Sequence, residues 1–404
     1  MVSRANDSLA SELDVVTPGP LDKTVGPKER PIERCHRGEV AGAAGLCPIL
    51  GNWQLLGSVT VVDQAGRRRI TIFSLGGTIA STNSDTSTSG VTPQLTGRDL
   101  VAALPQVNDV GEVTTVAFRQ VPSGDLTFSD LIELADEIGE CFESGTDGVV
   151  ITQGTDTIEE MSFAIDLLVD NPRPVVVTGA MRNPTLAGPD GPANLLAAVR
   201  VAASHDARGL GTLVVLNDQI HAARFVRKTH TSSPSTFQSL GAGPLGWVIE
   251  ERPRIALRVA PLARIRRVPG GEVPAVAMIK CSLGDDGRII DHVASLAYGG
   301  AVVEGFGGGH VPARVVPALA RLAERMPVVL ASRTGSGELL RATYGFPGSE
   351  RDLLSRGLLS AGTLDGPKAR VLLSLIMMTE KDGQRIRTTF EAVVASVVSS
   401  SLTS

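Results

Sequence analysis

Aromatic side chains make up only 3% of this 404-residue chain, too few for the ring platforms on which single-stranded nucleic acids stack. Positive charge is not in excess either. The 38 Lys and Arg stand against 43 Asp and Glu, a formal net charge of -5, whereas nucleic-acid binders carry a basic face. No nucleic-acid partner is therefore expected. Cysteine is rare, and Cys35, Cys47, Cys141 and Cys281 form no C-x-x-C pair. That spacing argues against both a disulfide framework and a zinc ribbon. The six histidines show no H-E-x-x-H spacing, so neither a metal nor another cofactor is expected. No apolar run reaches the roughly 20 residues of a membrane-spanning helix, so no membrane partner is expected. No internal repeat is visible.

What is present suits a globular α/β protein. Hydrophobic residues, at 42%, suffice for one or two full cores at this length. Up to residue 68, charges mix with prolines without amphipathic periodicity. The apolar patch from Val40 to Leu50, behind Arg34 and Arg37, resembles a signal peptide in outline. It lies far from Met1, contains Pro48 and lacks a small-residue cleavage site. Residues 1–68 are expected to be a flexible extension, or the result of a start placed too far upstream.

From Arg69 onward strands and helices alternate. Ile70–Ser74, Gly148–Thr152, Pro174–Thr178 and Thr212–Leu216 are nearly continuous in apolar residues, as strands buried on both faces are. Met161, Ala164, Ile165 and Leu168 fall on one helical face, and Thr157 with Glu160 predicts a capping box at its start. Pro192 opens another helix, running to Ala203. This alternation predicts a larger N-terminal domain over 69–251, with a mostly parallel sheet flanked by helices. Arg and Pro cluster over 252–273, which reads as a linker. Beyond it, Ala275–Ile279, Ala301–Phe306 and Val328–Ser332, with helices over Pro312–Glu324 and Pro367–Met378, predict a smaller C-terminal α/β domain over 274–404.

Ligands of open parallel sheets bind outside the carboxyl ends of the strands, and four polar clusters stand there. In Gly76-Gly77-Thr78 the glycines permit a sharp turn and close backbone approach. Thr78 is then either a site residue near a helix start or a plain cap. The surrounding run is not G-x-G-x-x-G, and no Gly-Lys-Ser/Thr follows, which weakens a phosphate reading. In Gly154-Thr155-Asp156-Thr157, Asp156 either caps a helix or accepts a substrate ammonium; capping by Thr157 would free it for binding. Arg227-Lys228-Thr229-His230-Thr231 alone reads as solvated surface. Ser123-Gly124-Asp125 reads as a turn.

Together these segments resemble the bacterial-type L-asparaginase family. The resemblance rests on Gly76-Gly77-Thr78-Ile79-Ala80, Gly154-Thr155-Asp156-Thr157, Thr178-Gly179-Ala180-Met181-Arg182 and Asp190-Gly191-Pro192-Ala193-Asn194. It continues in Lys228-Thr229, Gly243-Pro244-Leu245-Gly246, Gly362-Thr363-Leu364 and Lys368-Ala369-Arg370. The matches are collinear from about Arg69 almost to the C-terminus.

The resemblance implies a hydrolase of asparagine. Thr78 would attack the side-chain amide, release ammonia and leave a β-acyl-enzyme for water to cleave, splitting one hard step into two easier ones. Thr155, Asp156 and Lys228 would form a second polar triad, Lys228 acting as base where desolvation lowers its pKa. Which threonine attacks first is left open. Backbone N–H groups at the turns of Gly77 and Gly154 would hold the oxyanion. Ser123 and Asp156 would grip the α-carboxylate and α-ammonium, and the Ala180 backbone would face the scissile amide. The resemblance further implies a cytoplasmic homo-oligomer, dimer or tetramer, with its site between subunits.

The chain departs from the family at several points. No tyrosine lies on the loop Ser84 to Gln94, where Gly90 takes its place; Tyr344 or His310 are candidate substitutes. Gly124 stands where Gln or Glu is common, and Gly307-Gly308-Gly309-His310 where asparagines are frequent. Glu350 is the candidate for the glutamate that a neighbouring subunit contributes. These departures keep a glutaminase-asparaginase or related amidohydrolase open. So do a non-catalytic amino-acid sensor and an ammonia-supplying subunit in tRNA amidation, although the acidic balance speaks against the last.

Overall fold

The near-continuous apolar runs become interior strands of an eight-stranded sheet in the computed structural model, which describes residues 67–83, 91–93, 97–268 and 271–398. The expected extension up to Gly66, and Gly90 with its loop neighbours from Ser84, lie outside the described residues. Strand β1 (Arg69–Ser74) is followed by a hairpin of β2 (Ser81–Asn83) and β3 (Val91–Pro93), then by short helices α1 (Gly97–Ala102) and α2 (Val107–Val110). Next come β4 (Glu112–Ala117), α3 (Phe128–Glu143), β5 (Gly148–Thr152), α4 (Ile158–Leu168), β6 (Val175–Thr178), α5 (Gly191–Ala203) and β7 (Thr212–Leu216). These five longer strands are parallel, in the order β4-β1-β5-β6-β7.

An antiparallel tail completes the sheet. After β8 (Gln219–Ala222), strands β9 (Val226–Lys228) and β10 (Phe237–Ser239) form a separate two-stranded ribbon. Then β11 (Gly246–Ile249) and β12 (Arg252–Ile255) extend the edge beyond β8.

Side chains alternate across the sheet with the two-residue strand period, and here both faces are covered. Phe73, Val149, Ile151 and Val177 belong to one buried cluster with α3 and α4. Ile72, Val150, Val176 and Val215 belong to the other, with α5. Burying each such side chain contributes about 1.5–3 kcal/mol, which is why these strands show no polar alternation. Strand β4 differs. Lying at the sheet edge and partly exposed, it reads Glu-Val-Thr-Thr-Val-Ala, a mixed run that carries no strong strand signal.

The smaller sheet is wholly parallel, in the order β13 (Val276–Lys280), β14 (Gly300–Gly305), β15 (Val328–Ser332) and β16 (Leu359–Ser360). Helices α6 (Arg288–Val293), α7 (Val316–Ala323), α8 (Glu350–Ser355), α9 (Gly366–Thr379) and α10 (Gly383–Val398) accompany it. Helix α9, buried along most of its length, packs against α4 and so joins the two sheets within one compact unit.

One expectation fails at α4. Thr157 precedes this helix, but its side chain makes no cap hydrogen bond. Its hydroxyl instead donates to the Ser123 carbonyl at 3.0 Å. The N-cap residue is already half-helical (φ -120°, ψ 16°), unlike the extended backbone from which a capping hydroxyl reaches N3. A true capping box forms at α3, between Thr127 and Asp130.

Candidate active site

Strand order locates the crevice. From β1 the chain adds β4 on one side, and then places β5 on the other side of β1. Loops leaving β1 and β5 therefore diverge, and such a switch point is where open parallel sheets bind ligands. Thr78 follows β1 and Thr155 follows β5.

Glycines let the strand-end turns meet backbone to backbone. Gly77 has φ +86°, in the left-handed region, and a Cβ there would overlap the backbone N and Cα of Gly154. A Cβ on Gly154 would lie 2.9 Å from Ser123 Oγ, and one on Gly179 only 2.7 Å from the Gln153 carbonyl oxygen. Thus the turns after β1, β4, β5 and β6 are stacked, which brings Thr78, Ser123, Thr155 and Ala180 into one region. The motif Asp190-Gly-Pro-Ala-Asn194 clamps the last turn. Asn194 Nδ2 donates to the Gly179 carbonyl at 3.0 Å, while Asp190 accepts the N–H groups of Met181 and Arg182.

Lys228 comes to this place from the β9–β10 ribbon. Its Nζ donates to Thr155 Oγ1 at 2.8 Å and to Asp156 Oδ1 at 2.6 Å. Thr155 is buried and the Lys228 side chain is 16% exposed, whereas the Asp156 carboxylate is 82% exposed. A hydroxyl in contact with a largely covered ammonium, beside an open carboxylate, has a proton-handling end and an ammonium-accepting end. The Lys228 N–H donates to Glu159 Oε2 at 2.6 Å. Burial raises the Glu159 carboxyl above its ordinary value, with Asp365 adding to the rise and Lys368 opposing it. Glu159 carries no distinguishing signal in sequence, where it looks like any acid in a first helical turn.

Residues 69–260 match the family model described as "Asparaginase, N-terminal", and residues 275–390 match the "Glutaminase/Asparaginase C-terminal domain". The chain belongs to the asparaginase family. It is 34% identical over 320 residues to an L-asparaginase of Bacillus licheniformis, a match covering 78% of this chain and 97% of that one. It is 30% identical over 337 residues to a glutamyl-tRNA(Gln) amidotransferase subunit of Methanosarcina barkeri, covering 80% and 76% respectively. A crystal structure called a probable cytoplasmic L-asparaginase from Campylobacter jejuni superposes with a TM-score of 0.74 at 30% identity, covering 81% of this chain and all of that one. As a member of the asparaginase family, the chain is an amidohydrolase with a small-molecule substrate.

Against that family pattern, the Thr78 end of the site stands out. The Thr78 hydroxyl makes no hydrogen bond among the described residues. Tyr344 and His310 are engaged elsewhere: their rings pack edge to face at 4.9 Å, and both pack on Phe346. His310 Nε2 lies 3.2 Å from Glu350 Oε2, and Glu350 Oε1 accepts the N–H groups of Thr343 and Tyr344 at 2.8 and 2.7 Å. Burial would raise Glu350, but those N–H groups and His310 hold it below its ordinary value. Its side chain is fully covered within its own chain, so reaching into a neighbour's site would require breaking all three contacts. At Gly124, a Cβ would meet nothing within 4 Å, so a longer side chain would fit there. No group of three or more His, Cys, Asp or Glu able to hold a metal occurs among the described residues.

Proposed function

We propose that this amidohydrolase converts L-asparagine to L-aspartate and ammonia through a covalent acyl-enzyme. The observation that carries the reading is the Thr155–Lys228–Asp156 cluster, at hydrogen-bond distances of 2.8 and 2.6 Å, beside the turn that presents Thr78. Thr78 Oγ attacks the side-chain carbonyl carbon and gives up its proton, and the tetrahedral oxyanion rests on backbone N–H groups at the Gly77 and Gly154 turns. The C–N bond then breaks, and nitrogen leaves as ammonia after taking up a proton. Water attacks the resulting ester to free aspartate and restore the threonine. Thr155 and Lys228 handle the protons. Ser123 and the exposed Asp156 receive the α-carboxylate and α-ammonium, which orients the amide, with the Ala180 backbone alongside.

Separate Thr78→Val and Thr155→Val variants test this scheme. Each, folded by circular dichroism, should release ammonia from asparagine at least about 10³-fold more slowly. Near-normal turnover in both variants sinks the two-threonine mechanism. Comparing asparagine, glutamine and D-asparagine turnover then defines the substrate. Binding without ammonia release would instead support an amino-acid sensor. The Methanosarcina relative's name brings in the ammonia-supplying role in tRNA amidation, but a net charge of -5 does not favour tRNA.

A cytoplasmic homo-oligomer, dimer or tetramer, completes the proposal. A strictly monomeric active protein in light scattering, or its recovery outside the cytoplasmic fraction, would overturn these parts.

A further inference from the structure

We propose that Lys368, in the first turn of α9, is a positioning residue for Lys228; the inference rests on the reading of Lys228 as catalytic. Lys368 is only 1% exposed. Its Nζ donates to the Val226 carbonyl at 2.7 Å and to Asp365 Oδ2 at 3.1 Å. Val226 begins the three-residue strand β9 that ends with Lys228.

Every residue of that strand is tethered by a charge. The Val226 carbonyl is held by Lys368, and Arg227 Nε lies 3.2 Å from the same Asp365 carboxylate. The Lys228 N–H is held by Glu159 at 2.6 Å. Among the described residues, strand β9 pairs only with the equally short β10, outside the large sheet. A two-stranded ribbon is marginal by itself in water, so these tethers must fix where Lys228 sits. Asp365 also accepts the Lys368 N–H at 2.9 Å as the N-cap of α9, which anchors the tether to a rigid helix packed on α4.

The ammonium has no solvent to fall back on. Without it, the Val226 carbonyl loses its donor and Asp365 loses a buried counter-charge. A displacement of the ribbon by about 1 Å would spoil the 2.8 Å approach of Lys228 to Thr155, and misplacement on that scale costs about 10²-fold in rate. In this way a residue of the small sheet's helix sets the geometry of a site built at the edge of the large one.

The test is a double-mutant cycle on the full chain, with ammonia release from asparagine measured for the parent, Lys368→Met, Lys228→Met and the double variant. Lys368→Met should lower kcat about 10²-fold while KM stays within about threefold. In the Lys228→Met background, the same change should cost less than about twofold, because the two residues act as one unit. Unchanged kcat in folded Lys368→Met overturns the inference, as does an equal loss in both backgrounds, which would mark a general structural role. If Lys368→Met does not fold, Lys368→Gln, which keeps a short polar side chain but no charge, enters the same cycle with the same deciding outcomes. Full turnover in Lys228→Met would instead overturn the reading of Lys228, and this inference with it.

Discussion

Thr78 and Thr155 leave neighbouring parallel strands through touching glycine turns, yet they are surrounded very differently. Thr155 is buried and receives the Lys228 ammonium, which also meets Asp156; the Lys228 backbone is held by Glu159, and its strand by Lys368. Thr78 is half-buried and lies between the close-packed Gly77 turn and the buried Ile79, and its hydroxyl makes no hydrogen bond among the described residues. One threonine is met by side chains organised from two distant segments, the β9 ribbon and helix α9, and the other follows a glycine turn. Under the proposed mechanism, such a site would keep its proton-handling end rigid and leave the attacking hydroxyl free to adjust to substrate.

The strongest way to break this contrast is Lys228→Met. It should lower kcat by about 10²–10⁴-fold, the range for losing a positioned acid or base, while aspartate binding by calorimetry stays within about tenfold. Loss of binding equal to the loss of rate would mean that both ends depend on Lys228. Next comes the wall that the two turns share. Gly77→Ala should destabilise the protein by about 4 kcal/mol, from a strained positive φ plus a backbone clash. By contrast Gly124→Ala, with open space around it, should stay within about 0.5 kcal/mol in denaturant melts.

The third test uses pH. His221 on β8 lies fully buried, its Nδ1 2.9 Å from Ser239 Oγ on β10, and so ties the ribbon carrying Lys228 to the large sheet. Burial lowers its pKa from 6.5 to about 4. As pH falls, the unfolded chain therefore takes up the proton first. The stability associated with the neutral ring is complete above about pH 6.5 and is lost as pH drops towards 4, about 3 kcal/mol in all. Glu159 and Glu160, raised by burial, act in the opposite direction in both parent and variant. Urea midpoints for His221→Asn should consequently fall less between pH 7 and pH 4 than those of the parent. A smaller effect is expected at the open end of the Thr155 cluster. Asp156→Asn should raise KM for asparagine about tenfold, the value of one charge-assisted contact, with kcat changed less than by Lys228→Met.

Much of the fold was legible because local chemistry dictated it. Strands buried on both faces are apolar along most of their length, and β5, β6, β7, β14 and β15 stand within a residue or so of where the apolar runs placed them. Strands β4, β8, β11 and β12 were not legible. Of these, β4, β11 and β12 are partly exposed at or beside the sheet edges, where polar residues are tolerated, and the short β8 is buried but carries Gln219 and His221. The expected capping box at Thr157 failed for a related reason: a hydroxyl beside several backbone partners takes whichever the tertiary packing brings closest, here the Ser123 carbonyl.

The sequence by itself determined that glycine turns at strand ends would carry Thr78 and Thr155, because only glycine permits the positive φ at Gly77 and the close backbone approach at Gly154 that bring these turns together. It could not assign Lys228 from local pattern, since a basic pair in an isolated stretch reads as solvated surface. The family resemblance pointed to Lys228, and the tertiary structure brings it against Thr155. The ribbon folds back across 73 sequence positions to reach Thr155, and Lys368 reaches 142 positions to hold it. Contacts at such separations leave no periodic trace, because their energy depends on three-dimensional proximity and burial rather than on neighbouring residues.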